Sequence, residues 1–147
     1  MRNGCPFITC AVKRKGIEFC WHCREQHTCE RWRKHRKQGK SRDSFVSYQR
    51  LEDNIAFVAE SGFDAFVAAQ EDRKRLLAIM VDQFNDGHSK SFYCIAAAVM
   101  EPQEIESALC EARDADTGKD ARSKAAMLRS ILDRIGAEKG YLLKLRK

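Results

Sequence analysis

Long hydrophobic runs and internal repeats are missing from this chain of 147 residues, and its first residues give no reason to expect a secretory signal. No apolar stretch approaches the roughly 20 residues that a helix needs to cross a bilayer, so a membrane-spanning helix is not expected. The first six residues carry no apolar core of the kind that secretory signals have. We therefore expect a cytoplasmic protein.

Catalytic motifs are equally scarce. The segment from Gly87 to Ser91 lacks the G-x4-G-K-[ST] spacing of a phosphate-binding Walker loop. Cys94 and His88 could form a thiol–base pair, but six residues across a loop–helix junction do not by themselves bring the two side chains together. No arrangement indicates a nucleophile with its base and an orienting group, so the sequence favours a protein that is not an enzyme.

Cysteine, by contrast, is abundant at one end of the chain. Five of the seven cysteines lie in the first 29 residues, with His22 and His27 between them: Cys5, Cys10, Cys20, Cys23 and Cys29. In the reducing cytoplasm, close thiols are more typical of metal ligands than of disulfides. A free cysteine can also pack in a core as a small apolar residue. We expect this role for Cys94 and Cys110, because each lies in an apolar helical stripe.

The strongest single motif is the C-x2-C pair formed by Cys20 and Cys23, whose spacing lets two thiolates approach one ion from a tight turn. A four-coordinate structural zinc needs two further ligands. Cys5 and Cys10 would complete a site of four cysteines, and an arrangement that includes Cys29 is equally favoured. The two histidines are reserve ligands. Zinc is favoured over an iron–sulfur cluster, although both bind four thiolates.

Positive charge is concentrated at the same end. The net charge is +6, and residues 1–50 carry 13 Lys and Arg against 4 Asp and Glu. Seven of these cations lie within residues 31–42. Such a run is typical of a solvated helix face or of a surface that attracts polyanions. The candidate nucleic-acid-binding residues are Arg31, Trp32, Arg33, Lys34, Arg36 and Lys37, with Trp32 available to stack on a base or to pack back on the cysteines.

The rest of the chain has the spacing of amphipathic helices. We expect helices over residues 43–60, with Phe45 and Tyr48 in the buried stripe, and over 63–84, with an exposed polar stretch from Gln70 to Arg75. The apolar run 92–100 favours a helix capped by Ser89 or Ser91. A helix from Pro102 would bury Ile105, Ala108, Leu109 and Ala112. After a loop at 116–118, a last helix over 120–139 would end at Gly140, followed by an extended or short-strand tail.

These elements predict a mainly α fold, a compact bundle of about five helices with an N-terminal cysteine-rich metal knuckle. The knuckle spans residues 1–30 and the helical domain spans residues 31–147, and we expect one continuous globular unit. A segment as short as the knuckle cannot bury much core of its own, so a bound metal would supply its folding energy.

The loop between two of the expected helices is a candidate anion site. Gly87, Ser89, Lys90 and Ser91 precede a helix N-terminus, where free backbone N–H groups and the helix dipole favour an anion. Ordinary capping explains the serines equally well.

Three groups of short motifs carry a further signal. They are Cys5-Pro6 to Cys10-Ala11 with Lys15 to Cys20 and Cys23 to Cys29-Glu30; Phe84-Asn85-Asp86-Gly87 with Ser89 to Cys94; and the ending Gly140 to Lys147. Together they resemble a prokaryotic family of small cysteine-rich proteins catalogued only as a domain of unknown function. The resemblance implies zinc binding and no assigned activity.

We therefore expect a zinc-binding protein whose structural metal knuckle presents a basic surface to a macromolecule, with nucleic acid as the candidate partner. The alternatives are an enzyme or small-anion-binding protein that uses residues 87–94, and an iron–sulfur redox protein.

Overall fold

The computed structural model describes residues 5–115, 118 and 120–147. The chain divides into two compact units, Met1–Gln38 and Gly39–Lys147. The sequence predicts a boundary after residue 30, whereas the division after Gln38 assigns nearly all of the basic helix to the cysteine-rich unit.

The first unit contains short elements and one regular helix. Helix α1 (Pro6–Ile8) continues into a π-helical segment (Thr9–Arg14), a 3-10 turn covers Cys20–His22, and α2 spans Glu30–Gly39. Among the described residues up to Gln38, Ala11 alone is buried. Packing of apolar side chains therefore contributes little to this unit.

The second unit consists of the five long helices that the sequence predicts. They are α3 (Leu51–Ser61), α4 (Phe63–Phe84), α5 (Lys90–Val99), α6 (Pro102–Asp114) and α7 (Ala121–Lys139). The mainly α fold class is confirmed, and the part of the chain that the structure describes contains no strand.

Helix α4 is the centre of the second unit, because α3, α5, α6 and α7 all contact it. The core between these helices consists of buried apolar side chains from α4 to α7, among them Met80, Tyr93, Ile105 and Leu132. The four residues predicted to form the buried stripe of α6 are all buried. The three- and four-residue spacing thus predicted this face of the bundle correctly.

Several predicted boundaries are also confirmed. Gly62 lies between α3 and α4 with φ of 85°, a conformation that side-chain-bearing residues rarely adopt. Pro102 opens α6, Asp120 caps α7 by accepting from the backbone N–H groups of Arg122 and Ser123, and Gly140 ends α7 in the left-handed conformation. Asp116 and Thr117 of the predicted loop lie outside the described residues.

The prediction for residues 43–50 is wrong, because α3 begins only at Leu51. Phe45 is 88% exposed rather than buried in a helical stripe. The carboxylate of Asp43 accepts a hydrogen bond from the backbone N–H of Tyr48 at 2.8 Å, which holds the segment in a turn. A side chain that bonds to nearby backbone groups replaces the hydrogen bonds that those groups would make in a helix, so it competes with helix formation.

The sequence predicts that the whole stretch from Gln70 to Arg75 is exposed. This prediction is wrong for Arg73, which is buried. Its guanidinium donates to the carbonyl oxygens of Ala97 and Met100 and, at 3.3 Å, to the carboxylate of Glu101. The last carbonyls of α5 would otherwise have no partner. Burial lowers the pKa of Arg73, and the nearby charge of Arg50 lowers it further.

Cys94 and Cys110 are exposed, so their predicted place in the core is wrong. In α5 the buried positions are Phe92, Tyr93, Ala96, Ala97 and Val99, and Cys94 lies outside this face. Cys110 likewise follows the buried pair Ala108 and Leu109 of α6. Within the described residues, no helix has both the length and the hydropathy to span a membrane.

The tail after Gly140 is neither strand nor helix, and it is fixed to the segment before α3. The side-chain amide of Gln49 donates to the Leu142 carbonyl at 2.8 Å and accepts from the Leu142 N–H at 2.9 Å. Arg146 donates to both carboxylate oxygens of Asp43, at 2.8 and 3.1 Å. The same guanidinium donates to the carbonyls of Gly39 and Lys40, so it holds these two residues as well.

We expect Asp43→Asn to lower the free energy of unfolding at neutral pH by about 2 kcal/mol. Hydrogen bonds from Arg146 lower the pKa of Asp43 from 3.8 to about 2. The ionised carboxylate therefore stabilises the fold fully above its unfolded pKa, and this stabilisation disappears as the pH falls from about 4 to about 2. Urea unfolding followed by far-ultraviolet circular dichroism would measure both effects.

Asp133→Asn is the matched control. Asp133 is a surface residue paired with Arg129 at 3.8 Å, and an exposed pair of this kind contributes about 0.5 kcal/mol. Equal losses in the two variants would contradict the role assigned to Asp43.

Candidate metal centre

A reversal of the chain at Gly16 brings the N-terminal cysteines together. The π-helical segment closes with the N–H of Lys15 bonded to the carbonyl of Cys10. Gly16 then adopts a φ of 64°, and the Ile17 N–H returns to the Ala11 carbonyl at 3.0 Å. Because glycine reaches this left-handed conformation without steric cost, the chain turns back towards Cys10 before it reaches Cys20.

The C-x2-C pair forms a tight turn, as its spacing predicts. The N–H of Cys23 bonds to the carbonyl of Cys20 at 3.0 Å, and the N–H of Gln26 bonds to the carbonyl of Cys23 at 3.1 Å. The rings of Phe19 and Trp21 stack with centroids 4.4 Å apart beside the turn. This local structure sets the positions of the two thiols without help from a larger core.

Helix α2 completes the unit through its first turns. The guanidinium of Arg31 donates to the Pro6 carbonyl at 3.0 Å. Trp32 meets the ring of Phe7 edge-on at 6.1 Å and stacks on His35 at 5.8 Å. Trp32 therefore packs back on the cysteine-rich segment, which is the second of the two roles that the sequence left open for it.

Four cysteines line a single cavity of about 110 Å³: Cys10, Cys20, Cys23 and Cys29. Phe7, Ala11 and Trp32 supply apolar walls. Cys5 is exposed and is not part of this lining. This grouping favours an arrangement that includes Cys29 over the one built from Cys5, Cys10, Cys20 and Cys23.

The four cysteines line the cavity, but their side chains are not arranged as a coordination shell. In the part of the chain that the structure describes, no group of three or more Cys, His, Asp or Glu side chains is arranged to hold a metal ion. Burial raises the pKa of the Cys20 thiol, and negative charge on the other four cysteines, Cys29 first, raises it further. Cys20 thus lies where several thiolates would repel one another unless a cation separated them.

Lys15 is a member of this site that the cysteine spacing did not reveal. Its ammonium donates to the Cys23 sulfur at 3.4 Å and to the Glu25 carboxylate at 2.6 Å. The hydrogen bond to Glu25 raises the pKa of Lys15, and Cys23 contributes to the same shift. The one sequence signal that could have found it is its position directly before Gly16, where the chain turns back towards the C-x2-C pair.

The predicted nucleic-acid-binding residues lie on α2, but they are not equally available. Lys34 and Lys37 are exposed, whereas Arg36 is half-buried. Arg31 bonds to Pro6, and Arg33 pairs with Glu30 at 3.3 Å on the surface.

The candidate anion loop uses its donors internally. The Asp86 carboxylate accepts from the backbone N–H groups of His88 and Ser89 and from the Ser89 hydroxyl, while Asn85 accepts from the Gly87 N–H. Ser89 is at the N-cap position of α5, as predicted, although its hydroxyl donates to Asp86 and makes no side-chain cap. Because an external anion would have to displace Asp86, we propose no anion site at Gly87, Ser89, Lys90 and Ser91.

Comparison of this chain with models of known protein families, with curated proteins and with solved structures finds no match. The resemblance to a cysteine-rich prokaryotic family therefore stays a prediction.

The cavity predicts a difference in reactivity between the cysteines of the native chain. Cys94 and Cys110 are exposed, whereas Cys20 is half-buried in the cavity. We expect brief iodoacetamide treatment to alkylate Cys94 and Cys110 well before Cys20, as read by peptide mass spectrometry. Unfolding in urea should equalise the rates. Similar rates in the native chain would contradict the arrangement of the first unit.

Proposed function

We propose that residues 5–38 form a structural zinc module that presents a basic helix to nucleic acid. The ligands are Cys10, Cys20, Cys23 and Cys29. The observation that carries the metal part of the proposal is that these four cysteines line one small cavity in a unit where Ala11 is the one buried residue among those described.

A unit of this size needs something other than an apolar core to hold it together. A chain of fewer than about 40 residues rarely buries enough apolar surface to fold alone, and metals or disulfides are the usual substitutes. The cysteines are all free thiols. Zinc binding by small modules contributes on the order of 10 kcal/mol, which is enough to order a segment of this length.

The donor set fits zinc. Four thiolates in a closed site are typical of structural zinc, and they would leave the centre with two negative charges. The ammonium of Lys15, 3.4 Å from the Cys23 sulfur, offsets part of that charge, as outer-shell partners of metal ligands commonly do. An iron–sulfur cluster would also accept four cysteines, so metal analysis must distinguish the two.

We expect the purified full chain to be colourless and to contain about one zinc per molecule by elemental analysis. Cys20→Ser should abolish most of this zinc, because it removes one of the four proposed ligands. Cys94→Ser is the matched control and should retain it, since Cys94 is an exposed residue of α5. Visible absorption after anaerobic purification would instead identify an iron–sulfur protein.

Hydrogen exchange provides the second readout of this prediction. Chelation should remove amide protection from residues 5–38 while α3 to α7 stay protected, because the second unit has its own apolar core. Unchanged protection of the first unit after chelation would contradict a structural metal.

The basic helix supports the second part of the proposal. Lys34 and Lys37 are exposed on α2, and cations on a zinc module can displace counterions from phosphates. The seven cations within residues 31–42 are the densest positive charge in the sequence. A polyanion is therefore the partner class that the charge favours.

Replacing Lys34 and Lys37 together with glutamine should weaken binding to a labelled single-stranded oligonucleotide. The plot of log affinity against log salt concentration should become less steep by roughly 0.7 for each phosphate that the variant no longer neutralises. Fluorescence anisotropy at several salt concentrations would measure both. The matched control is the double replacement of Lys74 and Lys139, which are exposed on α4 and α7. A salt-independent affinity in the native chain would rule out phosphate binding.

A further inference from the structure

Phe45 is the most exposed of the large hydrophobic residues in the described part of the chain, at 88%. Its neighbour Val46 is 43% exposed. The sequence makes Trp32 the candidate for base stacking, but that ring packs on Phe7 and His35. The most exposed aromatic side chain among the described residues therefore lies in the second unit, in the turn before α3.

This turn is held in place by polar contacts rather than left to move freely. The buried carboxylate of Asp43 accepts hydrogen bonds from Arg146 and from the backbone N–H of Tyr48. The hydroxyls of Ser44 and Tyr48 lie 3.3 Å apart, and the Ser44 N–H bonds to the Val46 carbonyl at 3.3 Å. Because the backbone is fixed on both sides of Phe45, binding through its ring would cost little conformational entropy.

The surroundings of the turn are cationic. Arg146 donates to the carbonyls of Gly39 and Lys40 and to Asp43, which brings the tail of the chain against residues 39–43. The exposed cations of these two segments are Lys40, Arg42, Lys144 and Lys147. Arg146 and Asp43 neutralise each other, so these four residues leave the surface around the turn positively charged.

We propose that this surface, made of Phe45, Lys40, Arg42, Lys144 and Lys147, binds single-stranded nucleic acid. Phe45 stacks on an unpaired base and the cations contact the adjacent phosphates. The proposal rests on the proposed nucleic-acid function and adds to it a second contact, located in residues 39–147, and a preference for unpaired bases.

The composition of the surface decides between a single strand and a membrane. Membrane attachment strengthens with the apolar area buried in the lipid, and this turn offers one phenylalanine and a half-exposed valine. Stacking requires one ring for each base and works on every base type. In duplex nucleic acid the bases already stack on one another, so an exposed ring gains most from an unpaired strand.

The test uses the full chain with its metal and a labelled oligo(dT) of about 12 nucleotides. Phe45→Ala should weaken binding roughly 5- to 100-fold, which is the range for removing one base–aromatic stack. Phe45→Trp should restore the affinity, and the salt dependence should be the same in both variants. Val67→Ala, which shortens a side chain 40% exposed on α4, is the matched control and should bind as the native chain does.

The outcomes separate this inference from the proposed function. If the Lys34 and Lys37 variant loses affinity while Phe45→Ala does not, the basic helix binds nucleic acid and the stacking surface is refuted. If the native chain binds no oligonucleotide, both proposals fail. Retention on phosphatidylserine vesicles that Phe45→Ala abolishes, with oligonucleotide binding unaffected by that variant, would assign the surface to a membrane and overturn the inference.

Discussion

The second unit depends on one buried cation. The guanidinium of Arg73 in α4 donates to the carbonyls of Ala97 and Met100 at the end of α5 and to Glu101 at the start of α6. The sharp corner between these helices is therefore fixed to the central helix by charge-assisted hydrogen bonds. Glu101 also pairs with Arg50 and forms a capping box with Glu104, so the same corner ties α3 into the bundle.

The first unit is stabilised differently, because so short a segment has no apolar core that polar contacts could reinforce. Its order comes from short turns and from the ring contacts of Trp32, beside a cavity that four cysteines line. If the proposed zinc site is correct, the unit would gain a defined structure when the ion binds the thiols and lose it when the ion leaves. The two parts of one chain would therefore respond to quite different changes in their surroundings.

The sequence predicted best where a single physical effect decides the structure. Apolar spacing alone predicted the buried face of α6, and Gly140 and Asp120 predicted the ends of α7, because helix packing and capping are local effects. Phe45, Arg73 and the pair Cys94 and Cys110 were misplaced for a different reason. The burial of these residues depends on contacts with residues far along the chain, or on the exact rotation of a helix about its axis. Neither can be predicted from a short stretch of sequence. The density of cysteines predicts a cluster, but it does not decide which of them line the cavity, because Cys5 and Cys29 are equally plausible members by spacing alone. Lys15 carries one weak sequence signal, its place directly before the turn at Gly16.

The contact between Asp43 and Arg146 joins residues 103 positions apart, and α3 to α7 all lie within the loop that it closes. Closing so long a loop in the unfolded chain would cost conformational entropy. This cost falls once the helices inside the loop have formed and brought its two ends closer together. The contact should therefore form last during folding and open first during partial unfolding. The turn that carries Phe45 would then be assembled only on molecules whose helical bundle is already complete.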